Sequence, residues 1–415
     1  MDRLIRRDKL TDRLCLLWAG LGLYALTYAQ VDIVKFSAIG AVTDRLVTIG
    51  LVLIVFSLFT SLHPSQIQRT RTGWILTGLL LAWHLFMTFS HDPGDVLGLP
   101  NYSDPYGYTV YLFPLLLLIP IAPLVRSYLL MGRWLMLIGI PLMLMPLLYY
   151  ASFSAIQFCF EGYLACAGLI LMTSRYHTKG WLWAAALSLF VGFIVATITA
   201  RRGLMMTSML YMLGGAYMII FRGKRLKRST QMLLIATGIS LALLAAGIFM
   251  LGSNGIFSKI AGRAGDNTRD YVFLFFFFDM LQTPLDMILG RGIRGVYECQ
   301  GVDGGYETTR SAVENGILQM MLKGGIVYVI LILTTLCTAI RQAWRSTNQL
   351  CRASILIISI QLFDMLPFGL HAVGAKTFII WMCVSICLSP VICSKSDEEI
   401  QEMLSEKLPK LPAYK

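Results

Sequence analysis

Runs of about 20 mostly apolar residues alternate with short polar connections from one end of this chain to the other. They fall at 14–34, 45–62, 73–90, 109–125, 134–150, 153–173, 181–199, 203–221, 231–251, 314–340, 353–372 and 375–393. Such a run can cross the hydrocarbon core of a bilayer as a helix, so the pattern predicts an all-α polytopic membrane protein with about twelve transmembrane helices. No repeat and no second domain interrupts it, and residues 1–415 read as a single integral membrane domain.

The polar connections set the orientation. The first 13 residues, "MDRLIRRDKLTDR", are charged and lack a small-residue cleavage site, which predicts a retained cytoplasmic lead-in. From that start, the even-numbered connections at 65–71, 126–133, 174–180, 222–228 and 341–352 share one side, and all are rich in Arg and Lys. The opposite connection at 91–108 has three Asp and neither Lys nor Arg. The positive-inside rule then places both termini in the cytoplasm.

One connection is far longer than the rest: 252–313, on the outer side. Within it Phe273, Phe276, Phe277, Met280 and Leu281 recur at helical spacing, while Asp279, Gln282 and Asp286 fall elsewhere on the wheel. This predicts an amphipathic helix on the outer membrane surface or capping a cavity. A spanning helix is the competing reading, and it would carry two acids at depth. Residues 394–415 form a cytoplasmic tail, in which Ile400, Met403, Leu404 and Leu408 predict a second short amphipathic helix.

Composition narrows the chemistry. With 56% hydrophobic and 14% charged residues, the net charge of +12 belongs mainly to short loops and serves orientation, so no nucleic-acid partner is implied. The nine cysteines include no CxxC pair; Cys159, Cys166, Cys337, Cys383 and Cys387 lie in apolar runs and read as buried packing residues, while Cys299 stands in the polar loop. Five histidines without ligand spacing give no metal site.

The informative charges are those that orientation does not require. Arg201 and Arg202 in "TITARRGL" come at the outer end of the seventh run. They either snorkel or pair with an acid, or they bind an anion outside. Arg263, Arg269, Arg291, Arg294 and Arg310 follow in the long loop. Guanidinium forks bind phosphate oxygens in pairs, and several together suit a diphosphate, which at an outer membrane surface implies a lipid carrier. Arg310 and Glu314 are four residues apart, as an ion pair at a helix start or as an anion clamp beside a general base. "GRGIRG" gives Gly290, Gly292 and Gly295 the spacing of a dinucleotide loop without the βαβ context that reading needs, leaving a loop whose backbone can approach a ligand closely. Gly324 and Gly325 permit close helix packing. Glu161 and Asp364 lie inside apolar runs and suit a proton relay, whereas His84 suits an interhelical hydrogen bond.

In this order, "ARRG", "AGRAGDNTRDYVFLF", "MILGRGIRGVY" and "ENGILQMMLKGGIVY" resemble the bacterial O-antigen polymerase and O-antigen ligase superfamily over about 130 residues, 199–328. The resemblance implies a GT-C-like fold in the bacterial inner membrane with one large periplasmic loop. The implied activity is a metal-independent glycosyltransferase, without cofactor, acting on undecaprenyl-diphosphate-linked oligosaccharide. A chain-length regulator and a flippase are the implied protein partners. Arg202 looks like the arginine of the family's "SRG"-type motif, with Arg201 an equal candidate. Arg269, or else Arg263, resembles the arginine before the loop's amphipathic helix. Where ligases carry His, this chain has Glu314, followed by Asn315; Gly325 matches the first glycine of the GxxG and Tyr328 replaces the second. That departure favours the polymerase branch; Arg294 with Gly305 also has the RX10G spacing of polymerase loop arginines, a single match of a kind that chance often gives.

The expected catalytic set is therefore Glu314, Arg202 and Arg269. The expected substrate contacts are Arg201, Arg263, Arg291, Arg294, Tyr297, Arg310 and Asn315. A ligase that moves finished glycan to lipid A core is one alternative; a polysaccharide flippase or ion-coupled transporter, suggested by Glu161 and Asp364, is the other.

Overall fold

A computed structural model describes residues 8–33, 37–89, 108–148, 154–198, 201–222, 268–299, 309–313, 315–366 and 373–405. They are almost wholly helical. In chain order the helices are α1 (Lys9–Ile33), α2 (Ser37–Thr60), α3 (Arg71–Phe89), α4 (Ile121–Ser127), α5 (Arg133–Leu148), α6 (Ser154–Met172), α7 (Lys179–Ile198), α8 (Arg202–Arg222), α9 (Thr268–Gln282) and α10 (Pro284–Leu289). A two-stranded antiparallel pair follows, β1 (Tyr297–Glu298) with β2 (Thr309–Arg310), then α11 (Gly316–Ala343), α12 (Gln349–Asp364), α13 (Ala375–Cys387) and the tail helix α14 (Asp397–Ser405).

Among the described residues, five helical stretches are long and apolar enough to cross a membrane: Arg71–Phe89, Ile121–Leu144, Lys179–Ile198, Gly203–Ile220 and Gly316–Ala343. Val52, Phe56, Leu79, Leu85, Trp183 and Leu213 are among the large apolar side chains left exposed. So much uncovered apolar surface fits a hydrocarbon solvent, since soluble chains bury such patches. The apolar run 231–251 lies outside the described residues.

Two expectations about single elements change. The run 109–125 is broken: Tyr108–Leu118 is a 3-10 helix with Pro114 inside it, and Pro120 starts α4 afresh. Proline supplies no backbone N–H and cannot continue an α-helical ladder. The connection expected at 126–133 is itself helical, because a π turn at Tyr128–Gly132 joins α4 directly to α5. Cys337 is exposed rather than buried, while Cys166, Cys383 and Cys387 are buried as expected.

The basic connections among the described residues gather at one end of the bundle, as their alternation predicts; most of 222–228 lies outside those residues. Arg126 pairs with Asp8 at 2.7 Å and donates to the carbonyls of Met403 and Leu404, tying both ends of the described chain to α4. Gln349 donates to Ser174 and Gln342 to Thr70, linking the other connections. On α14 the apolar face is Ile400 and Leu404, both buried, as the tail periodicity predicts. Asp397 at its start accepts from Arg175 Nη1 (2.5 Å), Tyr176 Oη (2.9 Å) and the backbone N–H of Gln349 (2.7 Å). Asp397→Ala strands these donors, and an unsatisfied buried donor costs about 1–3 kcal/mol. The expected result is faster proteolytic removal of the tail, read by mass spectrometry against wild type.

Candidate functional site

Opposite the basic connections, the far halves of four helices meet around one ammonium group. Lys376, in the first turn of α13, lies between Glu161 of α6, at 3.2 Å, and Asp364, the last residue of α12, whose carboxylate it also contacts. Thr207, in the second turn of α8, donates to the other oxygen of Asp364 at 3.2 Å. All four side chains are buried. An isolated charge here would be strongly unfavourable, and the mutual pairing is what allows three to stay together. The two in-run acids expected as relay candidates are thus bound to one lysine. Lys376 itself was overlooked by sequence reasoning, although a lysine opening an apolar run near an acid-bearing neighbour is a usable signal.

Along α8 the arginine doublet precedes the Thr207 contact to this cluster. Arg202 opens α8, five residues before Thr207, and Arg201 is half-buried with its N–H bonded to the carbonyl of Ala196 at 2.8 Å. That bond reaches back five residues and brings the end of α7 against the start of α8. The side chain of Arg202 lies outside the described residues.

From Asp364 the contacts continue to the start of α11. The next two residues accept hydrogen bonds from it: Met365 O from the Gly316 N–H at 2.8 Å and Leu366 O from Asn315 Nδ2 at 2.6 Å. Asn315 is the N-cap of α11, its Oδ1 taking the N–H groups of Ile317 and Leu318. This gives the residue a structural reason in addition to the expected substrate contact. Gln319 then holds the preceding segment, accepting from Val313 N–H and donating to Ser311 O at 3.1 Å.

That segment leads into the strand pair, where Arg310 stands opposite Tyr297. Tyr297 is fully buried against Phe276 of α9, with ring centroids 5.6 Å apart. Burial pushes its phenol up to about 12, and the nearby Arg310 guanidinium opposes that shift.

Arg291, expected as a substrate contact, is engaged within the protein. Its guanidinium is held by Asp279 and Asp286 (2.9 Å), by Thr283 Oγ1 (2.9 Å) and by Val296 O (2.8 Å). Burial works against its charge, but the hydrogen bonds and attraction of the two aspartates prevail and raise its pKa. The acids expected on the polar face of the loop helix are therefore the partners of this arginine. They hold α9, α10 and β1 as one unit. Arg294 is exposed. Arg269 lies in the first turn of α9 with its side chain outside the described residues, and Glu314 and Arg263 lie outside them altogether.

The loop helix is amphipathic in a different sense from the periodicity. Val272, Phe276 and Met280 are buried, while Leu274, Phe277, Phe278 and Leu281 are exposed. Its apolar residues thus divide between protein and surroundings. The 15 described residues of α9 span about 22 Å, short of a hydrocarbon core. The segment docks through glycines. Gly290 (φ +78°) and Gly325 (φ +68°) face each other, and a Cβ on Gly290 would stand 2.5 Å from the backbone nitrogens of Gly324 and Gly325. The Arg291 N–H bonds Leu322 O at 2.8 Å, and buried Lys323 donates to Gly295 O at 2.9 Å. The glycines of "GRGIRG" and "KGGI" thereby serve the approach of one backbone to another.

His84 makes the interhelical hydrogen bond expected of it, to Tyr328 Oη at 3.0 Å, with its other ring nitrogen on Leu80 O. Tyr328 is occupied in this pairing.

No protein-family model matches the chain, and no curated protein matches it. Fold and site together define a class: a helical membrane protein whose far end gathers arginine-bearing segments over a buried Glu–Lys–Asp cluster.

Proposed function

We propose that the protein is a polysaccharide polymerase with about twelve spans, joining undecaprenyl-diphosphate-linked oligosaccharide units at the outer face of the bacterial inner membrane. The observation that supports it most is the unbroken series of contacts from α8, which Arg202 opens, through Asp364 and Asn315 to Arg310 and Tyr297. Residues more than 100 positions apart in sequence share one end of the bundle, away from the basic connections. A diphosphate clamp needs arginine-bearing segments to meet at one end of the bundle, and this arrangement supports that reading.

In the proposed reaction a hydroxyl of one repeat unit attacks the anomeric carbon of another. The new glycosidic C–O bond forms as the C–O bond to the diphosphate breaks; the hydroxyl proton passes to the Glu314 carboxylate and the polyprenyl diphosphate leaves with the electron pair. Arg202, Arg269 and Arg310 stabilise the charge that develops on the leaving group. Arg291 is reserved for positioning, because two aspartates already occupy it. The Lys376 cluster holds the start of α8, and with it Arg201 and Arg202, against the end of α12.

The test uses purified protein in lipid with its native lipid-diphosphate repeat unit, products being resolved by length. Wild type should give a ladder that Glu314→Ala abolishes while folding is retained. Glycan appearing on a separate acceptor without a ladder would support the ligase instead, and substrate left intact by wild type would overturn both.

A further inference from the structure

At the basic end, α3 and α11 part around a cavity of about 840 Å³, lined by Thr72, Thr338, Arg341, Gln342, Trp344 and Arg345. Among the described residues no acid lines it, and neither arginine has a carboxylate partner. We propose that this cavity is a binding site for an anionic phospholipid with a hydroxylated headgroup, of the phosphatidylglycerol type.

Three observations point to that chemistry. Arg341 and Arg345 are exposed one turn apart at the end of α11, facing the start of α3, so two guanidinium forks and a helix N-terminus bear on one volume. Basic pockets between helices at a membrane boundary suit phosphodiester headgroups.

Next, Gln342 is a polar group only half used. Its Nε2 donates to Thr70 Oγ1 at 2.7 Å, while its Oε1 is buried and accepts from no group among the described residues. A headgroup hydroxyl supplies the missing donor, and a simple phosphate monoester does not.

Lastly, the surroundings fit a lipid better than a free ion. Trp344 is 62% exposed beside the arginines, where an indole settles at headgroup level. Above the cavity Ile326, Ile330 and Cys337 on α11, with Ile75 and Leu79 on α3, leave apolar surface uncovered for acyl chains. The volume also far exceeds the roughly 30 Å³ of a water-sized occupant.

The experiment is native mass spectrometry of the detergent-purified protein titrated with phosphatidylglycerol, phosphatidic acid or phosphatidylcholine. Wild type should retain phosphatidylglycerol at least about tenfold more tightly than phosphatidylcholine, about 1.4 kcal/mol. Arg341→Gln with Arg345→Gln should abolish that preference, and the two side chains are exposed enough for the variant to fold. Gln342→Met should weaken phosphatidylglycerol selectively and leave phosphatidic acid unchanged. Equal retention of the two phospholipids by wild type, or a preference that survives in the double variant, overturns the proposal. Displacement of bound lipid by millimolar inorganic phosphate also overturns it, because the site would then take the free anion. Polymerisation is not the readout, so the result stands apart from the proposed reaction.

Discussion

Lys376→Met is expected to destabilise the protein by about 3–5 kcal/mol, the cost of removing one partner from a buried ionic group. Methionine nearly preserves the length of the side chain, so packing changes little. What changes is that Glu161 and Asp364 lose the cation between them in a site where neither is solvated. A thermal melt in detergent should shift down, and polymer formation should fall with it, because Thr207 and Asp364 join α8 to α12. Adding Asp364→Asn to Lys376→Met removes one stranded charge and should recover part of the loss. A single variant that melts with wild type would show that the cluster contributes nothing to the fold.

Gly325→Ala is expected to undock the segment 283–299 from α11. The backbone at Gly325 has φ +68° and ψ −176°, a region open essentially to glycine alone, at a cost of about 1–3 kcal/mol for another residue. Space is the harder constraint: the new Cβ would lie 2.0 Å from Ile288 O and 2.3 Å from Ile288 C. Both are backbone atoms and cannot rotate away, so α10 must retreat. The bonds from Arg291 N–H to Leu322 O and from Lys323 to Gly295 O should then be lost, and limited proteolysis should cut within 283–299 faster than in wild type. Gly78→Ala is the control, since a Cβ there meets nothing within 4 Å. Equal cleavage of Gly325→Ala and wild type would refute the docking.

Sequence legibility followed interaction range. The apolar runs foretold helices such as α3, α7 and α11, because a long run needs no partner to declare its solvent. The basic connections foretold which ends meet, and Arg126, Arg175 and Gln349 do meet at one end. The tail helix and the His84 contact were legible for similar reasons. At the site, the motif positions Asn315 and Gly325 were visible, but their roles as helix cap and glycine-only kink were not.

Hydropathy and charge asymmetry by themselves determined that this is a helical membrane protein, where most of its helices run, and which connections lie together. These are properties of short segments in a two-phase solvent, and each segment carries its own answer. Tertiary structure alone decided which charges are spent inside the protein. Glu161, Asp364 and Lys376 come from three different helices, and Arg291 meets acids 12 and 5 residues back only once α9 and α10 fold against β1. Pairing of this kind depends on a few ångströms in space, and distance along the chain carries no record of it.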